Sequence, residues 1–271
     1  MWFAHWKDRK LSTISRESVE LLHAQFAKQR GKYVANRAIQ LISAMFNKAI
    51  LWRIWKQDNP VRGITKFAEF TRERILREDE IGNFFSCLDQ EPRDQFYDLI
   101  MILILTGQRK GNVLAMRWQD IDLVAKTWSI PGELMKNGQS LTIALTEMEV
   151  AILERRLARK INGYVFHSPG KRGHYIEPKR RWKELLKRAE IKDFHIHDLR
   201  RTLASYMANS GANVAIIQSA LNHKDLRTTL KVYAKVARRA ELEARAKAHE
   251  LMLGASLYEK GINIKDSATT C

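Results

Sequence analysis

The sequence contains few cysteines, no long apolar run and no secretion signal. Its two cysteines, Cys87 and Cys271, are too few for a disulfide framework and fit a reducing compartment such as the bacterial cytoplasm. The most apolar stretch, residues 99–105, is far shorter than the roughly 20 residues that cross a bilayer, so it predicts a core helix. Met1 is not followed by the charged and apolar regions of a leader peptide. We therefore expect a cytoplasmic protein without a membrane partner.

Positive charge is in excess. The 271 residues include 47 Lys and Arg against 30 Asp and Glu, which gives a net charge of +17. A field of this size attracts polyanions and otherwise destabilises the fold by self-repulsion. Because no polybasic run lies beside a long apolar segment, the charge favours a nucleic acid over an anionic membrane as the partner.

The hydrophobic pattern divides the chain into two modules. Ser15 has the character of an N-cap for a first helix, Gly31 ends that helix, and residues 38–52 carry a second, longer helical stripe. Helical periodicity is lost between residues 63 and 77, where charged residues suit a solvated connection. The predicted domains are residues 1–66, a linker at residues 67–76, and residues 77–271.

The second module is predicted to be mainly helical with a small antiparallel sheet of three strands. The strands are expected at residues 116–121, 127–130 and 141–145, and the last two flank an Asn137-Gly138 turn. The helices are expected at residues 77–88, 95–105, 147–160, 178–189, 196–209, 212–221 and 238–252, with one more that carries Tyr233. The fold class is therefore mainly α.

Several reactive side chains follow one another in the second module. The chain has Arg109 after Thr-Gly-Gln, a His197-x-x-Arg200 motif, a Leu-Asn-His223 motif and Thr-Thr-x-x-x-Tyr233. His197 and Arg200 are three residues apart on a predicted helix, so both side chains leave one face. Two arginines could clamp phosphate oxygens, and a tyrosine could act as a nucleophile. No phosphate-binding loop of the ATPase type is present, so ATP is not expected.

Each of these residues taken singly has a simpler interpretation. A lone arginine in so basic a chain is more often a DNA-backbone contact or a solvated charge. A lone histidine is more often a satisfied surface or core group, and a lone tyrosine more often a core or interface aromatic. The order and number of the motifs favour a shared phosphate site.

In these motifs and their order, the chain resembles the tyrosine recombinase (phage integrase) family. The resemblance implies that Arg109 and Arg200 hold the scissile phosphate, and that His197 and His223 belong to the same site. It also implies that Lys136, beside the Asn137-Gly138 turn, is the general acid for the 5′-oxygen, with Lys126 as its competitor. Tyr233 would be the nucleophile, with Tyr206 the next candidate, and no cofactor or metal would be needed.

The resemblance further implies the architecture and the partners. The chain would be a C-shaped clamp, with a helical core-binding domain, a catalytic domain and a C-terminal exchange helix. It would be the site-specific integrase of a phage or integrative element, acting on double-stranded recombination sites. We expect a homo-tetramer on DNA, a monomer free in solution, and accessory DNA-bending or directionality proteins. An arm-site DNA-binding domain is missing, which indicates a shortened N-terminal side.

Three positions depart from the family pattern. Asn112 stands where an acidic residue is common, which leaves the orientation of the active-site histidine without an acid. The spacing from His223 to Tyr233 is one residue longer than is common. Asn222 replaces the usual glycine before His223, which is acceptable because asparagine tolerates a positive φ.

Three other functions and a zinc site stay open from the residues alone. A metal-dependent nuclease or transposase would need clustered carboxylates, for which the candidates are Asp120, Asp122, Glu147 and Asp198. Zinc bound by His195, His197 and His223 lacks a cysteine or a nearby acid to complete the usual spacing. A DNA-binding module without catalysis fits the charge equally well. A type IB topoisomerase would share the chemistry but would cut with little sequence choice.

Overall fold

The computed structural model describes residues 6, 8–69, 72–135, 138–176, 178–222, 230, 241–242 and 244–253. The chain divides into two compact units, Met1–Arg72 and Glu73–Cys271. This boundary falls inside the segment of residues 67–76 that was predicted as the linker. None of the described helices is long and apolar enough to cross a membrane.

The smaller unit is built on two helices, α1 (Arg16–Arg30) and α2 (Lys32–Leu51), after a short 3-10 turn at Leu11–Thr13. The Ser15 hydroxyl accepts a hydrogen bond from the Ser18 backbone N–H at 3.3 Å, which confirms the predicted N-cap. Gly31 has a φ of 88°, a value that favours glycine, and separates the two helices as expected.

The apolar stripe predicted for the second helix is only half buried. Ala38, Ile42 and Ala49 lie in the core, but Leu41, Met45 and Trp52 are exposed on the adjacent face of the helix, with Trp52 65% exposed. The buried face continues instead through Ile39 and Phe46, because these positions repeat at the helical period from Ala35. The predicted stripe therefore mixed the core face of α2 with a neighbouring exposed face.

The larger unit contains one sheet and seven helices with described ends, and residues 244–253, which overlap the helix predicted at residues 238–252, are also helical. The helices are α3 (Glu78–Asp89), α4 (Gln95–Thr106), α5 (Lys110–Leu114), α6 (Glu147–Leu157), α7 (Lys179–Arg188), α8 (Asp198–Asn209) and α9 (Val214–Leu221). Helix α4 is buried on most of its surface and packs against α5, α6 and α8. It contains the apolar stretch of residues 99–105, which is thus a core helix as predicted. Mainly helical content with a three-stranded antiparallel sheet confirms the predicted fold class.

The strands are β1 (Ile121–Asp122), β2 (Thr127–Ile130) and β3 (Leu141–Ala144), paired antiparallel in the order β1-β2-β3. The first predicted strand, residues 116–121, is wrong: Trp118–Asp120 is a 3-10 helix. Residues 116 and 118 bond elsewhere, since Met116 O accepts from Val165 N and Trp118 N donates to Gly163 O, both at 3.0 Å. Only the last residue of the predicted strand pairs with β2.

Two helices begin later than the hydrophobic periodicity placed them. Helix α9 begins at Val214 instead of residue 212, because the Asn213 side chain accepts from Ile216 N at 2.9 Å. Helix α8 begins at Asp198 instead of residue 196, so His197 lies immediately before its first turn. The helix predicted to carry Tyr233 lies outside the described residues.

Candidate active site

Arg200 is a buried guanidinium on α8 that joins the ends of two other helices. Its side chain donates from Nη1 to Gly107 O at 2.7 Å, beyond the end of α4, and from Nη2 to Leu221 O, the last residue of α9. Burial and then the charge of Arg109 lower its pKa to about 10, so the group still carries its charge at neutral pH. Among the described residues Arg200 has no carboxylate partner.

Arg109 reaches the same place from the corner between α4 and α5. Gly107, the C-cap of α4, has a φ of 59°. A Cβ at Gly107 would lie 2.6 Å from Leu221 Cδ2 and 2.7 Å from Leu203 Cδ2, so only glycine fits this close approach. The Arg109 guanidinium donates from Nη2 to Asn222 O at 3.5 Å and is also without a described carboxylate partner. The corner therefore holds two like charges side by side.

Three consecutive backbone carbonyls at the end of α9 accept hydrogen bonds from the corner between α4 and α5 and from Arg200. Ala220 O accepts from Gln108 Nε2 at 2.9 Å, and the next two carbonyls accept from Arg200 and Arg109. Carbonyls at a helix C-terminus have no partner within the helix and carry partial negative charge, which suits cationic donors. Asn222 adopts φ 47° and ψ 55°, which confirms that asparagine serves here in place of glycine. Sequence reasoning missed Gln108, whose only signal was a polar side chain between two motif residues.

His197 lies beside the arginines, immediately before α8. Desolvation, followed by the positive charges of Arg201 and Arg200, lowers the pKa of its imidazole below the ordinary value, and the Arg109 charge acts in the same direction. These effects place the ring within electrostatic range of both arginines. The ring is consequently neutral at pH 7 and can both donate and accept a hydrogen bond.

Asp198 fixes the turn that carries His197. Its buried carboxylate accepts from His195 N at 2.8 Å and from Arg201 Nη1 at 2.7 Å. Sequence reasoning considered this residue only as a metal ligand. Here it orders the backbone on both sides of His197.

The other acids of the proposed metal set have separate partners. Asp122 Oδ1 accepts from Val124 N and Ala125 N at 2.9 and 2.8 Å, and Glu147 pairs with Lys126. Within the described part of the chain, no group of three or more His, Cys, Asp or Glu residues could hold a metal ion. The pairing with Glu147 also gives Lys126, the competitor for the acid role, a partner away from the arginines.

Asn112 occupies the position of the missing acid. The side chain is buried and donates from Nδ2 to Met135 Sδ at 3.5 Å. It thus contacts the residue immediately before Lys136 instead of a histidine, as far as the described residues show. Tyr206, the alternative nucleophile, has a buried hydroxyl without a described partner, and burial raises its pKa.

The structure brings Arg109, His197 and Arg200 together. Lys136, His223 and Tyr233 lie outside the described residues. What the described part supplies is two guanidinium groups at the end of α9 without a described carboxylate partner, and a neutral imidazole within electrostatic range of both. Such a group of donors can bind a phosphate and stabilise negative charge that develops on its oxygens.

Comparisons with known proteins find a matching family model, similar sequences and a similar structure. A family model described as the phage integrase family matches residues 74–239. The integrase of Salmonella phage P22 is 27% identical over 143 residues, which are 48% of this chain and 37% of that protein. A tyrosine recombinase of Thermosipho africanus is 25% identical over 256 residues, covering 89% of this chain and 87% of that protein.

A solved structure shares the fold. It is the Tn1549 transposon integrase in complex with a circular intermediate DNA, with a TM-score of 0.69 and 18% identity over 88% of this chain and 89% of that chain. The chain spans little more than a third of the phage P22 protein but most of the other two. Because the family match covers more than half of the chain and contains all six motif residues, the protein belongs to the phage integrase family, the tyrosine recombinases.

Proposed function

We propose that the protein is a site-specific DNA recombinase that cuts and rejoins DNA through a 3′-phosphotyrosyl intermediate. The observation that carries this proposal is the pair Arg109 and Arg200, which share one helix end without a described carboxylate partner. Each guanidinium has more N–H donors than its carbonyl bonds use, so donors are left for a phosphate. A buried, uncompensated positive charge is costly unless an anion completes the site.

The proposed reaction needs no external energy. The Tyr233 oxygen attacks the scissile phosphorus, the bond to the 5′-oxygen breaks, and Lys136 gives that oxygen its proton. Arg109, Arg200 and His223 stabilise the charge on the non-bridging oxygens. A 5′-hydroxyl later attacks the phosphotyrosine and restores the tyrosine and a phosphodiester.

His197 would act as a neutral hydrogen-bonding group in this site. Burial of the ring, followed by the positive charges of Arg201 and Arg200, lowers its pKa and disfavours a further full positive charge beside the arginines. A neutral imidazole can accept the phenol proton or donate to a phosphate oxygen. We assign it the task of orienting the nucleophile and the phosphate together.

The proposal extends to assembly. Exchanging strands between two duplexes requires a cut in each of their strands, and each subunit supplies a single Tyr233, so the working unit is a homo-tetramer. The smaller unit would serve as the core-binding domain and the larger as the catalytic domain, and both would act on recombination sites of a mobile element. The DNA-bound state of the Tn1549 integrase supports duplex DNA as the substrate. Such a protein would act in the bacterial cytoplasm, with accessory DNA-bending proteins.

A covalent-adduct assay tests the proposal. Wild-type protein incubated with labelled element-junction DNA should give an adduct that survives denaturant and EDTA. Tyr233→Phe should bind the same DNA and form no adduct, because a phenyl ring has no nucleophilic oxygen. Tyr206→Phe is the matched control and should form adduct at the wild-type rate. An adduct in Tyr233→Phe, or loss of cleavage in EDTA with recovery in magnesium, would refute the proposal.

A further inference from the structure

The first residues of the larger unit form a short segment that we call the brace, Arg74–Leu76. At its start, Arg74 donates from Nη1 to Glu80 Oε2 at 2.6 Å, and its second terminal nitrogen also bonds Glu80. The same side chain donates to Lys192 O at 3.3 Å and lies 5.4 Å from the Phe194 ring centre. The brace is therefore fastened to the chain just before residues 195–201, which comprise the turn that precedes α8 and the first turn of that helix.

At its other end, the brace contacts the chain just after that turn. Leu76 is fully buried, and its backbone N–H donates to Thr202 Oγ1 at 3.0 Å. The Thr202 hydroxyl in turn donates to Asp198 O at 2.9 Å. Thr202 is 1% exposed, so no water can replace either bond.

The turn between these two fastening points carries the phosphate-site residues. Asp198, which receives the Thr202 hydroxyl on its carbonyl, holds His195 N and Arg201 with its carboxylate. His197 and Arg200 lie within this short stretch. Among the described residues, the Thr202 hydroxyl thus connects the brace to the backbone that orients both of them.

We propose that Thr202 is a positioning residue for strand cleavage, acting by tying the brace to the turn that carries His197 and Arg200. The inference rests on the proposed function. Displacement of a phosphate ligand by even about 1 Å slows a positioned reaction strongly, while substrate binding spread over many contacts changes little. Thr202 therefore affects the rate of cleavage rather than the affinity for DNA.

The test compares Thr202→Val, Thr202→Ser and the control Ser205→Ala, which removes another buried hydroxyl of α8. Valine keeps the shape but leaves the Leu76 N–H without an acceptor, whereas serine keeps both bonds. We expect Thr202→Val to bind DNA within about 2-fold of wild type and to form adduct at least about 10-fold more slowly at saturating DNA. Thr202→Ser should form adduct within about 3-fold of the wild-type rate, and Ser205→Ala should form it at the wild-type rate.

Hydrogen exchange gives a readout that does not require cleavage. The amides of residues 195–201 in DNA-free protein should exchange faster in Thr202→Val than in wild type, and at the wild-type rate in Thr202→Ser. If Thr202→Val does not fold, Arg74→Gln is the second variant, because it loosens the other end of the brace. It should likewise bind DNA as wild type does and form adduct more slowly.

Unchanged exchange in the valine variant, an unchanged cleavage rate, or a serine variant as slow as valine would each overturn the assignment. A wild-type protein that forms no adduct on any DNA would instead refute the proposed function, and the exchange measurement would still decide whether the brace holds the turn.

Discussion

Arg156 and Arg200 are equally buried arginines of the larger unit, each 5% exposed, but their partners are of opposite kinds. Arg156 is satisfied by Asp98, by the Gln95 side chain and by Val165 O. Among the described residues, Arg200 bonds only backbone carbonyls and has Arg109 as its charged neighbour. A buried charge that is fully paired is part of the architecture, whereas one left beside a like charge is available to an incoming anion.

The charged neighbours of the two arginines also affect their pKa values in opposite directions. Burial lowers the pKa of both guanidinium groups, but the Asp98 carboxylate acts to raise the pKa of Arg156, whereas Arg109 lowers that of Arg200 further. Within the part of the chain that the structure describes, one buried charge is compensated by a carboxylate and the other is not. Binding of a phosphate at the second site would supply the missing negative charge.

The largest expected effect is on catalysis at the unpaired arginine. Arg200→Ala should slow adduct formation by about 10²–10³-fold at saturating DNA, since removal of one donor to a developing oxyanion has effects of this size. The measurement is a single-turnover cleavage assay. Arg156→Met, measured in the same assay on the folded fraction, should cleave within a few-fold of wild type. Equal loss in both variants would remove the distinction between the two arginines.

The next effect is on stability at the paired arginine. Arg156→Met leaves the buried Asp98 with Arg155 alone, so the free energy of unfolding should fall by about 3 kcal/mol. Urea unfolding measures this change. Adding Asp98→Asn to Arg156→Met should recover part of the loss, because the uncompensated charge is then gone. A fully additive double variant would show that the pair is not coupled.

The smallest effect concerns two glutamates, Glu80 of α3 and Glu149 of α6, each of which is the third residue of its helix. Like the two arginines, they differ in whether an opposite charge among the described residues compensates their burial. Arg74 holds the pKa of Glu80 below its ordinary value of 4.5, while burial raises the pKa of Glu149 above that value. Glu80 therefore adds stability above pH 4.5 that is lost as the pH falls below it; Glu149 favours the fold at acid pH and loses that contribution as the pH rises.

Glutamine variants test these signs by unfolding curves at several pH values. Glu80→Gln should lower stability at pH 7 by about 1 kcal/mol and flatten the acid side of the pH profile. Glu149→Gln should not change the free energy of unfolding on the acid side of the pH profile. At pH 7 it should leave that free energy unchanged or raise it. Similar profiles for both variants would contradict the assigned causes.

How far the sequence predicted the molecule depended on the range of the contacts. Ser15 and the helical periods predicted α1 and most later helices because caps and periods act within a few residues. The strand expected at residues 116–121 was wrong because its first residues bond to residues 163–165. No local pattern signals such a partner.

The residues of the site likewise divide into those predicted from local motifs and those that depend on distant contacts. Arg109, His197 and Arg200 were predicted from their motifs, and the structure places them together. Gln108 and Thr202 were not predicted, since each acts through a partner more than 100 residues away in sequence, at separations of 112 and 126 residues. The roles of Lys136, His223 and Tyr233 stay predictions from the motifs and the family.

In the proposed mechanism, Arg200, which has no carboxylate partner among the described residues, neutralises a non-bridging oxygen of the scissile phosphate. The most direct measurement compares wild type with Arg200→Ala on a normal scissile phosphate and on a methylphosphonate, in which a neutral methyl group replaces one charged oxygen. On the normal phosphate, we expect Arg200→Ala to form adduct about 10²-fold or more slowly than wild type. On the methylphosphonate, the two rates should lie within about 10-fold of each other, because less negative charge then needs neutralising. The same slowing of Arg200→Ala on both substrates would contradict this mechanism.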